Sequence, residues 1–185
     1  MRAGLGKAVA ETHSPPRGEY QSETSFAAFY AREYPRIAEL AYALTGDRWI
    51  GEDLAQDSFI AARQNWAEVG TYPAPGAWIR RVVANKAVSR YRRTQVERRA
   101  LPRLWRRPTG DTPPEVAAEA AEIWAAVRRL PKRQAQVIAL TYLEGHSLSD
   151  IGEILQCSPF TAKTHLQRGK QTLATYLRVN DEVTE

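Results

Sequence analysis

The sequence predicts an all-α fold of two small helical domains joined by a flexible linker. Three observations lead there. Apolar residues recur at spacings of three and four along most of the chain. No stretch alternates apolar and polar residues long enough to read as a half-buried strand. One central stretch, rich in Arg, Pro, Gly, Asp and Thr, interrupts the helical pattern. The expected divisions are a leader over 1–24, a first domain over 25–93, a linker over 94–118, a second domain over 119–178 and a tail over 179–185.

The leader carries Pro15, Pro16 and Gly18 among Ser, Thr and Glu, a composition expected to be disordered. It lacks the apolar run of a secretory signal. The first helix puts Phe26, Phe29/Tyr30, Ile37, Leu40/Ala41 and Leu44 on one stripe and stops at Gly46. A second opens near Ile50 with Ala55, Phe59, Ala62 and Trp66 on its inner side. Gly70, Pro73, Pro75 and Gly76 then break the helical pattern. A third opens near Ala77 and is expected to bury Trp78, Ile79, Val82, Val83, Ala87 and Tyr91. The linker follows with Pro102, Pro108, Gly110, Pro113 and Pro114. Each flanking domain is small enough to depend on a compact helical core.

The second domain restarts with Ile123, Trp124, Val127 and Leu130 before Pro131. Val137 to Leu143 form a strongly apolar helix ended by Gly145. Ser147, three residues before Asp150, gives a capping-box-like start to a short helix carrying Leu148, Ile151, Ile154 and Leu155. A tight Gln156-Cys157-Ser158 turn follows. Ser158 suits an N-cap and Pro159 a first helical position, opening a long final helix. Its inner stripe is Ala162, Leu166, Gly169, Leu173 and Leu177; its outer face holds Phe160, Lys163, Thr164, Gln167, Arg168 and Gln171.

Composition narrows the function class. An apolar content of 43 % with 25 % charged residues is that of a soluble globular protein. No window approaches the roughly 18 uninterrupted apolar residues of a membrane span, so membrane insertion is not expected and the location is expected to be cytoplasmic. The single cysteine, Cys157, cannot form an internal disulfide and reads as a small buried side chain. Three dispersed histidines offer no metal-ligand spacing, and no cofactor is expected. No Ser/His/Asp grouping, phosphate-cradling glycine loop or paired-acid site stands out, which argues against an enzyme.

The net charge of +5 points to a polyanionic partner, and its distribution says more. Between Trp78 and Arg107 eleven basic residues face one acid, Glu97; between Ser158 and Arg178 four basic residues face none. From Glu39 to Glu68 six acids outnumber Arg48 and Arg63. Opposite charges on different segments imply different partners for different faces.

Three constellations are therefore candidates. The short helix, three-residue turn and final helix make a helix-turn-helix, whose second helix would enter the major groove with Lys or Arg for phosphates and guanine edges and Gln or Thr for base edges. A helical hairpin with a solvated basic face is the plainer alternative. On the third helix Arg81, Asn85, Ser89 and Arg92 share one face, either a solvated polar stripe or a nucleic-acid surface. Tyr72, in the loop Val69–Gly76 before it, could stack on an unpaired base. On the second helix Asp53, Gln56 and Asp57 cluster on one side, although acids early in a helix also serve its dipole.

The segment Gly51-Glu52-Asp53-Leu54-Ala55-Gln56-Asp57-Ser58-Phe59 resembles region 2.2 of the sigma-70 family. Trp78-Ile79-Arg80-Arg81-Val82-Val83-Ala84-Asn85 resembles region 2.4, and Leu130-Pro131-Lys132-Arg133-Gln134 through Lys170 resembles region 4. With these two regions joined by a short linker, the chain is most similar to the extracytoplasmic-function (ECF) sigma factors. The resemblance implies a region 2 bundle and a region 4 helix-turn-helix. Region 2 would bind the clamp of core RNA polymerase through Asp53, Gln56 and Asp57, and would read and melt the −10 element through Tyr72, Arg81, Asn85, Ser89 and Arg92. Region 4 would read the −35 element through Thr161, Lys163, Thr164, His165, Gln167 and Arg168 and contact the polymerase flap. Members of the family are commonly held by an anti-sigma factor.

This chain departs from the common pattern with Asp150-Ile151-Gly152 for Glu-Ile-Ala, Phe160-Thr161-Ala162-Lys163-Thr164-His165 for Gly-Thr-Val-Lys-Ser-Arg, and Ser89 where Asp or Asn is common. Two other classes compete with the sigma-factor reading: a helix-turn-helix regulator acting without polymerase, and a protein-interaction module whose basic faces serve solubility.

Overall fold

The computed structural model describes residues 17–100 and 118–184, with side chains over 26–97 and 120–177. Expectations for residues 1–16, 101–117 and 185 lie outside the described residues. Among the described residues there are eight helices and no strand: α1 Arg17–Thr45, α2 Arg48–Gln64, α3 Trp66–Val69, α4 Pro75–Ala100, α5 Ala118–Arg129, α6 Lys132–Tyr142, α7 Leu148–Leu155 and α8 Pro159–Thr184. The all-α expectation holds.

Local chemistry sets the boundaries. Helix α1 stops where Gly46 takes a left-handed φ of +72°. Asp47 then caps α2 by accepting from the Ile50 amide at 3.0 Å, so α2 begins two residues before the apolar pattern announces it. Asn65 ends α2, and Trp66 falls in the separate short turn α3. Pro75, read as a breaker, opens α4, since a proline in the first helical turn lacks only an amide that would have no partner there.

Three expected boundaries move. Helix α1 starts at Arg17, inside the expected leader. Helix α4 runs on to Ala100, past residue 94, with Arg93 donating to Glu97 one turn later at 2.9 Å and no proline before Pro102. Helix α8 extends through the expected tail to Thr184.

In the first unit Ile37, Leu40 and Leu44 of α1 are buried with Ala55 and Phe59 of α2 and Ile79, Val83 and Ala87 of α4. An aromatic group closes one end, with Phe29 and Trp66 ring centres 5.0 Å apart and Tyr30 edge-on to Phe59 at 4.8 Å. Trp78, Val82 and Tyr91, expected inside, are half-buried, whereas Arg80, Ala84 and Val88 are buried. In the second unit Val127, Leu130, Val137, Leu140, Ile151, Leu155 and Ala162 form the interior. Gly169 lets α8 approach α6 closely: a methyl group there would come within 3.2 Å of Ile138.

The two units also pack on each other. Helix α1 lies against α5 and α6, α4 lies against α6 and α7, and the buried side chains of both units form one continuous cluster. The extra buried side of α4 is what this joint core needs.

Candidate nucleic-acid interface

The helix-turn-helix is built from its caps. Ser147 caps α7 reciprocally: its hydroxyl accepts from the Asp150 amide at 3.2 Å, and the Asp150 carboxylate accepts from the Ser147 amide at 3.1 Å. The Ser147 hydroxyl donates to the same carboxylate at 2.8 Å, and this bond, with the one from the Ser147 amide, holds the Asp150 carboxyl below its ordinary value. Gln156 ends α7 at φ 54°, the one non-glycine residue in the left-handed region among the described residues. The Cys157 amide returns to the Gly152 carbonyl at 2.9 Å. A Cβ on Gly152 would sit 2.8 Å from the Cys157 carbonyl oxygen, so the turn closes against a residue without a side chain. Cys157 itself is half-buried against the core. Ser158 then caps α8, accepting from the Thr161 amide at 3.0 Å.

With Ala162 and Gly169 buried inward, α8 turns Phe160, Lys163, Gln167 and Arg168 outward as exposed residues. Thr161, Thr164 and His165 are half-buried beside them. The Thr164 hydroxyl donates to the Phe160 carbonyl at 2.9 Å, which leaves its oxygen lone pairs to accept from a base. Burial, reinforced by Arg133 and Arg168, lowers the His165 pKa and keeps its ring neutral at neutral pH. Phe160, expected on the outer face, is 78 % exposed at the start of the helix; the sequence reading gave it no functional role, although an apolar residue on a polar face is the signal that marks it.

A second face runs along α4. Arg81 and Asn85 are half-buried, Ser89 and Arg92 exposed. Tyr72 in the preceding loop is half-buried against the core, and its hydroxyl donates to Glu68 at 2.6 Å. That bond, with burial, raises the phenol pKa, while the nearby Arg81 charge opposes the rise. The Asn85 carbonyl oxygen accepts from Nε2 of Gln136 in α6 at 2.9 Å. Next to this face, Arg80 is only 5 % exposed and donates to Glu33 at 2.8 Å and to Glu144.

The third face lies on α2. Asp53, Gln56 and Asp57 are exposed on one side. Because α2 starts at Arg48, they lie beyond its first turn, and the dipole explains little of them. Ile60, 55 % exposed, continues that side and lines a groove of about 390 Å³ with Phe26, Tyr30, Gln56, Phe59 and Arg63. A second apolar groove, about 510 Å³, lies between α5, α6 and α8, lined by Trp124, Val127, Ile138, Tyr142 and Leu173 among others. The sequence reading missed both grooves; Ile60 and Tyr142 are the apolar residues left over once each inner stripe is filled. Among the described residues no group of His, Cys, Asp and Glu is placed to hold a metal, and no helix is long and apolar enough to cross a membrane.

Comparison with known proteins agrees with this arrangement. The model of sigma-70 region 2 matches residues 29–97, spanning most of α1 through α4, and that of sigma-70 region 4 matches 120–173, spanning α5 to α8. The chain is 29 % identical over 176 residues to the ECF RNA polymerase sigma factor SigE of Mycolicibacterium smegmatis, covering 90 % of this chain and 67 % of that one. It is 28 % identical over 156 residues to SigW of Bacillus subtilis, covering 77 % and 83 %. The chain belongs to the sigma-70 family, in its ECF branch. Solved structures share the fold: the sigma factor RpoE of Bartonella quintana, in complex with the anti-sigma factor NepR, aligns with a TM-score of 0.64 at 22 % identity over 84 % of this chain and 98 % of that one. CnrH, in complex with the cytosolic domain of CnrY, aligns at 0.63 and 21 % identity over 86 % and 94 %. As a sigma factor the chain works in transcription initiation, with the α2 and α4 faces in region 2 and the helix-turn-helix in region 4.

Proposed function

We propose that three faces of this ECF sigma factor divide the work of initiation. The α2 face, Asp53, Gln56 and Asp57 with the apolar Ile60, docks on the polymerase clamp. The α8 face, Lys163, Thr164, Gln167 and Arg168 with Thr161 and His165 at its margin, reads the upstream promoter element from the major groove. The face of Tyr72, Arg81, Asn85, Ser89 and Arg92 captures and holds the opened downstream element, and the groove between α5, α6 and α8 takes an apolar segment of the polymerase flap. The protein acts in the cytoplasm by binding alone, with the chemistry left to polymerase, and an anti-sigma factor is its natural restraint.

The observation that carries the reading is the presence of two polar, basic faces of different build, on α8 and on α4 with its preceding loop. One is a capped recognition helix shaped for duplex DNA; the other is an irregular loop on a rigid helix, suited to a base outside the duplex. A regulator working without polymerase needs only the first. Run-off transcription with core polymerase on genomic promoter fragments tests it: defined transcripts should depend on this chain. Specific binding to an operator by the chain alone, with no transcripts from the holoenzyme, would establish the regulator instead.

A further inference from the structure

One apolar side chain on the upstream-reading face has no place in the core. At 78 % exposure Phe160 is the most exposed large apolar residue among the described residues. Ala162, fully buried, lies two positions on and so roughly 200° round the helix, which points the phenyl ring away from the interior. The backbone beneath the ring is held firmly. Ser158 caps the helix by accepting from the Thr161 amide at 3.0 Å, and Pro159 has its φ fixed by its own ring. The Phe160 carbonyl accepts from the Thr164 hydroxyl at 2.9 Å. Lys163, Thr164 and Gln167 follow three, four and seven positions later, on the face that Phe160 begins.

Single apolar residues are ordinary on a protein surface, so exposure alone assigns no role. Place does. The N-terminal residues of a recognition helix are those that meet base edges in the major groove. A phenyl ring there has no hydrogen bond to give or take. Against an adenine or cytosine amino group, or a guanine oxygen, it would exclude water and leave a polar atom unpaired, which costs affinity. The C5-methyl of thymine is the apolar group that the major groove presents. The surroundings favour DNA over protein as the partner. Exposed Lys163, Gln167 and Arg168 beside the ring suit a polyanion, and Phe160 lines neither of the two apolar grooves.

We infer that Phe160 is a specificity-determining residue that reads a thymine methyl, and that the upstream element carries a thymine facing the start of α8. The inference rests on the reading of α8 as the recognition helix and adds a base preference that the polar residues of the face do not supply. With Gly at this place in the common family pattern, the contact is one that this chain adds.

The holoenzyme of core polymerase and the full chain supplies the test, on a promoter mapped by run-off transcription. Each thymine of the upstream element is replaced singly by deoxyuridine, which removes the methyl and keeps the base pair. Competition binding at fixed salt reads affinity, titration with core polymerase reads assembly, and circular dichroism reads folding. With wild type, deoxyuridine at one position should weaken binding about fourfold, the effect of one methyl group taken out of an apolar contact. Phe160→Ala should bind the unmodified promoter less tightly by at least that factor and lose the response to deoxyuridine at that position. Phe160→Leu, which keeps an apolar side chain, should retain part of it. An upstream element without thymine, no sensitive position in wild type, or undiminished sensitivity in Phe160→Ala would overturn the assignment. So would a Phe160→Ala variant that weakens assembly with core and not promoter binding, since the ring would then be a protein contact. Gln167→Ala keeps the two possible failures apart. If it changes the base preference of the upstream element while no deoxyuridine position responds, α8 remains the recognition helix and the role of Phe160 alone falls; if neither responds, the reading of α8 itself fails.

Discussion

Asn85 shows how much a single side chain is asked to do. It stands half-buried on a rigid helix between Arg81 and Ser89, with a donor and an acceptor on one short arm. Holding a base outside the duplex costs a few kcal/mol of unstacking, which contacts of this kind must repay. Asn85→Ala should therefore slow open-complex formation on duplex promoters while sparing core binding and upstream recognition. A template already opened across the −10 element should recover part of the loss; normal permanganate reactivity of the mutant complex on duplex DNA would refute the assignment. On α8 the residues separate by chemistry. Loss of a bidentate base contact from Gln167 or Arg168 should cost roughly 1–3 kcal/mol at one base position. Loss of a phosphate contact from Lys163 should weaken all sequences alike and lower the salt dependence. If alanine at Lys163, Thr164, Gln167 and Arg168 in turn leaves promoter activity untouched, the recognition face lies elsewhere. The caps Ser147 and Ser158 were legible in the sequence because a cap and its amide are three residues apart. The pairing of Asn85 with Gln136 was not, because 51 positions separate them and no local pattern links the two.

Helices and their junctions were legible wherever apolar stripe and cap agree. The α7–turn–α8 unit follows the sequence reading closely, while the starts of α2 and α4 shift because Asp47 and Pro75 act as initiators. Gly152 is the residue on which the recognition helix is set. Alanine there improves helix propensity by up to about 1 kcal/mol. Its methyl group, however, would meet the Cys157 carbonyl at 2.8 Å, a backbone atom that cannot swing away. Overpacking of this kind costs about 1–3 kcal/mol, so Gly152→Ala should be net destabilising by on the order of 1 kcal/mol. Denaturant unfolding of the full chain measures it, and a stabilised variant would mean that the turn adapts freely. Helix α2 poses the opposite question, since its face is exposed and makes little of the fold. Replacing Asp53, Gln56 and Asp57 together by alanine should leave the circular dichroism spectrum intact and weaken binding to core polymerase severalfold. Unchanged affinity for core would remove the polymerase role from this helix. Ile60 escaped the sequence reading because one apolar residue among polar ones is ordinary on a helix surface; only the groove beside it gives it meaning.

At the scale of the molecule, periodicity and composition could divide the chain in two but could not say that the halves share a core, because a stripe records that a face is buried and not by what. The charges behave likewise. Lys163 and Arg168 lie in water, where salt screens them, whereas Arg80 and Glu33 lie inside the region 2–region 4 contact, where screening is weak and protonation is the effective control. Burial pushes the Glu33 carboxyl up, but hydrogen bonds and charge from Arg32 and Arg80 together outweigh it and hold the group below its ordinary value near 4.5. Glu144 shares the Arg80 guanidinium from the other side. A carboxyl depressed in the folded state adds stability that is complete above the unfolded value and is lost as pH falls through the folded one. The melting temperature of the wild type should accordingly fall as the medium is acidified below about pH 4.5. Other carboxylates, Asp150 among them, add to that decline, so the informative quantity is a difference. Glu33→Gln should melt below wild type at neutral pH, and the gap should narrow through the acid range, because acid removes from the wild type the same charge that the substitution removed. Melting curves by differential scanning calorimetry at matched ionic strength read this directly. A gap that stays constant at every pH would mean that Glu33 contributes packing alone, and that its charge does nothing to hold Arg80 at the junction of the two regions.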